Sequence, residues 1–248
     1  MSFRTCLAAF TMLLVLRAAA DEREWTRIEV PPECAAMASS TFAEVLGGRR
    51  ITYAAANAVD GDSGTCWVEG VEGPGTGEWL LVWTDDEFEE MEIVSGFARS
   101  ENLFRKNNRP RRIEVQLIPT LTAPGLVTEL DYVFYLGLTP GPTYTVVLED
   151  TCLPQQIALP WDLQTQGELI YETIEGLFTD HARLGEAIEK SLGYQDTSDL
   201  SGRNLALFLR EVRERYLRMF VRLTIVDVYR GSTYDDTCIA EVRLISED

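Results

Sequence analysis

From Trp79 to Leu148 the sequence is a train of short apolar runs, rich in β-branched and aromatic residues and separated by Pro, Gly and acidic turns. WLLVWT (79–84), MEIVSGFA (91–98), RRIEVQLI (111–118), ELDYVFYL (129–136) and TYTVVLE (143–149) follow one another in this way. Runs of this length and spacing predict an all-β sandwich or barrel. The acidic stretch Asp85 to Glu90 between the first two reads as a solvated turn in preference to a carboxylate site.

The pattern changes between Trp161 and Leu217. Leu169, Ile170, Ile174, Leu177 and Phe178 fall near helical spacing, as do Leu205, Phe208, Leu209, Val212 and Tyr216. Asp199 or Ser201 suits the N-cap of the second group, and Arg210, Arg213, Arg215 and Arg218 suit its C-terminal half. FVRLTIVDVY (220–229) and CIAEVRLI (238–245) then return to strand. The expected architecture is mainly β: a jelly-roll-like antiparallel sandwich over residues 31–160 plus 218–248, with an α-helical insertion over 161–217 before the last two strands. The insertion is expected to pack back on the sandwich. A sharper reading uses its apolar face to dock a protein partner.

The N-terminus has one early positive charge (Arg4), an apolar run from Cys6 to Leu16, and then Ala18-Ala19-Ala20 before Asp21. That order reads as a signal peptide over residues 1–20, cleaved near Ala20, and predicts a secreted or periplasmic protein. Cys6 lacks a lipoprotein context. No other run approaches the ~20 apolar residues of a membrane span, so no membrane insertion is expected. The formal net charge is −18. Loss of the leader removes Arg4 and Arg17 but no acid, so the remaining chain is more acidic still and repels polyanions. Nucleic acid is therefore not an expected partner.

Beyond the leader there are four cysteines, Cys34, Cys66, Cys152 and Cys238. An even number in an exported chain points to disulfides, with three pairings open. No C-x-x-C pair supports zinc or thiol-redox chemistry. His181 is the one histidine and stands in a helical context, so His-dependent triads and multi-histidine metal sites have no basis. The Gly-rich loop Glu69 to Gly77 lacks the Gly-Lys-Ser/Thr ending of a phosphate loop and runs into a strand. No catalytic residue is assigned, and the chain is not expected to be an enzyme. A hydrolase built on two carboxylates, acting on glycosides or NAD, is an alternative.

The segment Asn57-Ala-Val-Asp60-Gly61-Asp62-Ser63-Gly64-Thr65-Cys66-Trp67 gathers hard oxygens in one tight loop. Such a loop suits Ca²⁺, which takes oxygen ligands, or forms an Asx-type turn without metal. The segment resembles the N-A-x-D-G-D-x-x-T-x-W signature of discoidin-like modules. These are also called galactose-binding-like or coagulation factor 5/8 type C-like domains. It is most similar to the NADase-type glycan-binding domain, associated with the translocation region of a bacterial NAD glycohydrolase. Four blocks carry the resemblance in order: Ala38–Thr41; Asn57–Glu69 with Gly75–Trp79; Gly96–Ser100 through Asn107–Arg111; and Val228–Gly231 to Tyr234–Val242. The insertion near 161–217 departs from the compact family pattern.

The resemblance implies an eight-stranded jelly-roll-like sandwich that binds a glycan or glycoconjugate. It also implies a structural Ca²⁺ held by Asp60, Asp62, Thr65, Glu241 and the backbone oxygen of Ala240. Since Cys66 and Cys238 lie in the same two segments, it implies a Cys66–Cys238 bridge, leaving Cys34 for Cys152. Glycans need an aromatic platform and planar hydrogen-bonding groups. Candidates in the matching blocks are Trp67, Glu69, Arg99, Asn102, Asn107, Asn108, Arg109, Tyr234 and Asp235. The basic run Arg105, Lys106, Arg109, Arg111 and Arg112 would draw an acidic sugar, or be paired with surface acids.

Overall fold

The computed structural model describes residues 24–139, 141–195 and 197–246. The proposed leader, with Cys6, lies outside the described residues. Two sheets face each other. The larger has seven strands, in the order β1 (Glu24–Val30), β9 (Val133–Thr139), β8 (Arg109–Leu121), β12 (Leu217–Tyr229), β6 (Trp79–Thr84), β2 (Met37–Ala38), with β10 (Thr143–Val147) also paired to β8. The smaller runs β11 (Gln155–Ala158), β7 (Glu90–Ser95), β13 (Cys238–Ile245), β5 (Trp67–Val68). A separate hairpin joins β3 (Ala43–Leu46) to β4 (Arg49–Thr52). All strand pairings within the sheets are antiparallel. The two sheets together hold more than the eight strands that the resemblance implies.

Strand alternation sets which side chains meet. Leu80 and Val82 of β6, Ile113, Val115 and Leu117 of β8, and Met219, Val221 and Leu223 of β12 point between the sheets. Trp67, Ile93, Ile239 and Val242 face them from the smaller sheet. The intervening residues form two outer clusters. Leu81, Ile118, Tyr135 and Phe220 cover the outside of the larger sheet. Cys66, Val68, Val94, Cys238 and Ala240 cover the outside of the smaller one.

Three helices occupy the expected insertion: α2 (Leu163–Asp180), α3 (Ala182–Leu192) and α4 (Gly202–Tyr216), following a short α1 (Glu101–Lys106). Asp162 caps α2 by accepting the Thr165 amide at 2.8 Å. Ser201 stands at the N-cap of α4 without a side-chain cap bond. Ile170, Ile174 and Leu177 of α2, Ile188 of α3, and Phe208 and Val212 of α4 join the main core. The buried Gln166 side chain donates to the carbonyls of Phe88 and Trp161 and accepts from the Phe88 amide. Arg213 of α4 pairs with Glu87, so the acidic turn anchors the insertion, and Arg218 of β12 pairs with Asp85 of the same turn. His181 lies at the α2–α3 junction with its ring edge-on to Trp25.

These contacts fix where the helices sit. Phe88 precedes the start of β7, where Glu90 pairs with Ile245 at the end of β13. The helices therefore cap the sandwich end opposite Gly96 and Cys238. Among the described residues, no large hydrophobic side chain between 164 and 217 is exposed. The apolar faces of the insertion are used by the sandwich, so the docking stripe of the sharper reading is absent from this segment.

Candidate functional site

A cleft of about 350 Å³ opens at the end of the smaller sheet, outside Cys66, Val68 and Cys238. The β3–β4 hairpin builds one wall. Its turn is Gly47-Gly48, with φ of 58° and 80°, the left-handed geometry a two-residue hairpin requires. The hairpin ends are clamped to β5: the Phe42 amide donates to the Val68 carbonyl (2.8 Å), and the Val68 amide to the Tyr53 carbonyl (3.2 Å). Phe42 and Tyr53 stack at 6.1 Å, and Phe97 meets Tyr53 edge-on at 6.1 Å. The Tyr53 hydroxyl donates to Glu44 at 2.8 Å; burial, then this carboxylate, pushes its pKa up to about 12.

The second wall comes from the β7–α1 turn and the β12–β13 loop. Gly96 has φ 76°, and a Cβ there would lie 2.7 Å from the Phe104 ring, so only glycine directs the chain into Phe97 and Arg99. The amide of Tyr234 donates to the Lys106 carbonyl and that of Asn108 to the Asp236 carbonyl. Arg99, Asn107 and Tyr234 thereby line the same cleft as Phe42, Tyr53 and Asp236. Arg99 is exposed and has no ion-pair partner among the described residues. Burial, then neighbouring Asp235, raises the pKa of Asp236.

Of the residues expected to touch a glycan, the structure brings Arg99, Asn107 and Tyr234 together. Asn102 lies on α1 but does not line the cleft. The others hold the loops in place. Trp67 is fully buried, its indole donating to the Ser40 carbonyl at 2.9 Å. Glu69 is fully buried and accepts the amides of Val71 and Thr237. Asn108 donates to the Asp235 carbonyl and accepts the Gly231 amide. Arg109 makes a bidentate pair with Asp150 at 2.6 and 2.7 Å and lies over Phe104. Asp235 is paired with Arg230. In the basic run, Arg105 and Arg111 pair with Glu101 and Asp227.

The Asp60–Thr65 loop lies beside β13. The Gly61 amide donates to Glu241 Oε1 at 3.3 Å. Thr65 Oγ1 lies within hydrogen-bonding distance of Asn57 O (3.2 Å), Asp60 Oδ2 (2.8 Å) and Asp62 O (2.9 Å). A hydroxyl has one proton, so this point has more acceptors than donors. Glu241 Oε2 is buried with no hydrogen-bond partner. Burial raises the pKa of Glu241, and Asp60 and Asp62 raise it further against the Gly61 bond. This donor set is all oxygen and fits a hard cation, with Asn57 O an addition to the expected ligands. Among the described residues no group of three or more carboxylate, thiol or imidazole side chains converges on one point. A cation here would lean on backbone oxygens and on Thr65.

Among the described residues, Cys34, Cys66, Cys152 and Cys238 stand as free thiols. Cys66 and Cys238 are fully buried and hydrogen-bonded to each other beneath the aromatic wall. That bond, then burial, raises the Cys238 pKa well above its ordinary value. The other expected pair is not brought together in this way. Cys34 donates to the Ala36 carbonyl beside the outer cluster of the larger sheet, whereas Cys152 lies in the β10–β11 connection near Arg105.

Residues 34–123 match the family described as NAD glycohydrolase translocation F5/8 type C domain. Over these residues the chain is similar to that family. The matched segment runs from the residues before β2 to the end of β8 and includes the Asp60–Thr65 loop and Arg99. No curated protein matches the chain. Among solved structures, arabinofuranosyltransferase AftD from Mycobacteria is similar at 13% identity over 91% of this chain, with a TM-score of 0.40. The chain spans 11% of the length of that protein. The F5/8 type C domain of a Bacteroides fragilis protein is similar at 12% identity over 90% of this chain and 97% of that one, with a TM-score of 0.35.

The cleft is only partly legible in the sequence. Its aromatic wall, Phe42, Tyr53 and Phe97, was not among the expected site residues. The available signal was AEVL-Gly-Gly-RRIT (43–52), two short strands around a two-glycine turn, which marks a hairpin.

Proposed function

We propose that this protein is an exported, non-catalytic module that binds carbohydrate in the cleft between the β3–β4 hairpin and the β12–β13 loop. The carrying observation is the cleft's composition. Aromatic faces from Phe42, Tyr53, Phe97 and Tyr234 stand with the planar donors Arg99 and Asn107 in one recess. A sugar offers a C–H face to such rings and hydroxyls to such donors. The helical insertion caps the other end of the sandwich, so the recess stays open. The signal-peptide pattern supports export.

We assign Ca²⁺ a structural role at Asn57, Asp60, Asp62, Thr65, Ala240 and Glu241, joining the N-terminal loop to the last strand. When bound it supplies positive charge to an oxygen-rich point. Asp60 and Glu241 then hold the loop against β13, and Cys66, three residues before Glu69, keeps its place under the cleft.

A second reading has one observation in its favour. Glu44 and Asp236 both line the cleft, and Asp236 has a raised pKa. A pair of acids can serve a glycosidase. Against it, Glu44 already accepts the Tyr53 hydroxyl. The test is a glycan array with the intact protein, with Ca²⁺ and after chelation, followed by assay of the bound glycans for new reducing ends. Binding without cleavage supports the module; cleavage lost in Asp236→Asn supports the hydrolase; no binding under either condition rejects both.

A further inference from the structure

We propose that the cleft takes a zwitterionic group of the phosphocholine type, a quaternary ammonium beside a phosphate, carried on the glycan it binds. This rests on the reading of the cleft as the carbohydrate site and names the group that the site recognises.

Around the cleft the loop charges are paired off. Arg109 meets Asp150, Arg230 meets Asp235, and Arg105 meets Glu101. Inside the cleft they are not. Arg99, Glu44 and Asp236 all line the recess, and none of them forms an ion pair among the described residues. The two signs also come from different elements. Glu44 stands on the β3–β4 hairpin, Asp236 on the β12–β13 loop, and Arg99 on the β7–α1 turn. Burial, then Asp235 and Glu44, pushes the Asp236 pKa up, so the two cleft acids repel each other. A cation placed beside them relieves that repulsion.

The space next to these acids is aromatic. Tyr53 stacks on Phe42 with 28° between the rings and meets Phe97 edge-on at 77°, both at 6.1 Å. The Tyr53 hydroxyl donates to Glu44 Oε1, so ring and carboxylate adjoin. Rings meeting near a right angle, with acids at their rim, form a corner that attracts a cation by its π faces. A quaternary ammonium has no N–H to satisfy and suits such a corner. Leu46, Val68 and Leu103 add apolar lining for its methyl groups.

Arg99 supplies the other half. Its exposed guanidinium is a planar fork that matches phosphate oxygens. A free anion is repelled by a chain of net charge −18. A zwitterion brings its own cation to the acidic wall and so meets both signs at once. Choline lacks the phosphate, and a neutral hexose offers only its C–H face to the rings.

The experiment is calorimetric titration of the full chain with phosphocholine, choline, inorganic phosphate, phosphoethanolamine and galactose. A phosphocholine-substituted oligosaccharide, its unsubstituted parent and phosphatidylcholine vesicles follow. Phosphocholine should bind about tenfold or more tightly than each of the other small probes. The substituted oligosaccharide should bind more tightly than its parent and than the vesicles. Arg99→Gln should lower phosphocholine to the affinity of choline. Glu44→Gln and Phe97→Leu should weaken choline and phosphocholine alike, each by about tenfold. No phosphocholine binding, equal affinity for galactose, preference for vesicles over the oligosaccharide, or full affinity in a folded Arg99→Gln would overturn the proposal. Neutral glycans bound with no effect of phosphocholine would overturn it and leave the carbohydrate reading standing; no binding of any probe would overturn both. The wild-type comparison of the probes stands even if the variants do not fold.

Discussion

The amide of Gly61 donates to the carboxylate of Glu241 across 180 positions of sequence. This contact joins the Asp60–Thr65 loop to the final strand, and it sits where the cation is proposed. Burial raises the Glu241 pKa. A raised carboxyl favours the protonated form in the fold. Its contribution to stability is therefore full below the ordinary glutamate value of about 4.3 and is lost as pH rises through the raised value. Ca²⁺ requires the ionised form and offsets that loss. The melting temperature should rise on adding Ca²⁺, more at pH 7 than near pH 4.5. At a hundredfold excess over Kd the gain is about 2.7 kcal/mol. Calorimetry of wild type and Glu241→Gln across this range checks it. An equal response of the variant rejects the site.

Arg99 and Arg109 are ten positions apart and predict opposite outcomes. Arg99 is exposed at the cleft without an ion-pair partner, so Arg99→Ala should abolish glycan capture while leaving the melt within about 0.5 kcal/mol of wild type. Arg109 is buried against Asp150, Phe104 and the Arg230 carbonyl. Arg109→Ala should cost roughly 3 kcal/mol, near the lower end for a broken buried pair because Asp150 stays partly hydrated. Array binding and denaturant titration of the two variants separate these roles.

This contrast shows what the sequence made legible. Strands β6 and β13 were readable to the residue because their apolar runs end at strong turn signals. The run 129–136 was not. Thr128 accepts the amides of Leu130 and Tyr132 through its hydroxyl, and Asp131 turns at φ 60°, so the strand begins only at Val133. The insertion was legible from its period. The cleft was legible in part, because sequence blocks name residue types near a site but not their direction. Trp67 and Val68 are consecutive on β5, yet one points into the core and the other into the cleft wall. Phe42 and Asp236 meet only through the fold.

Gln166 makes the insertion part of the sandwich. It is a buried polar side chain with three hydrogen bonds, two of them to Phe88. Gln166→Leu leaves the Phe88 and Trp161 groups unsatisfied and should cost about 1–3 kcal/mol. Leu177→Ala should cost about 2–5 kcal/mol through the cavity it leaves. Both variants should lose the sheet and the helices in one transition. Separate melting of the helices by circular dichroism would show that the insertion is an independent unit.

Cys66 and Cys238 test the proposed export. Cys66 immediately precedes β5, and Cys238 opens the neighbouring β13 opposite Val68; both are shut away from solvent under Phe42 and Tyr53. In the folded, reduced protein their alkylation should be slow, because the thiolate is the reactive form and the Cys238 pKa is raised. Folding in an oxidising medium should instead link them, and non-reducing peptide mapping should recover a Cys66–Cys238 peptide. The bridge should add about 2–5 kcal/mol to stability relative to Cys66→Ala/Cys238→Ala. Recovery of Cys66 linked to Cys34, or two thiols that alkylate readily in the native state, would show that these strands are not held together in the exported protein.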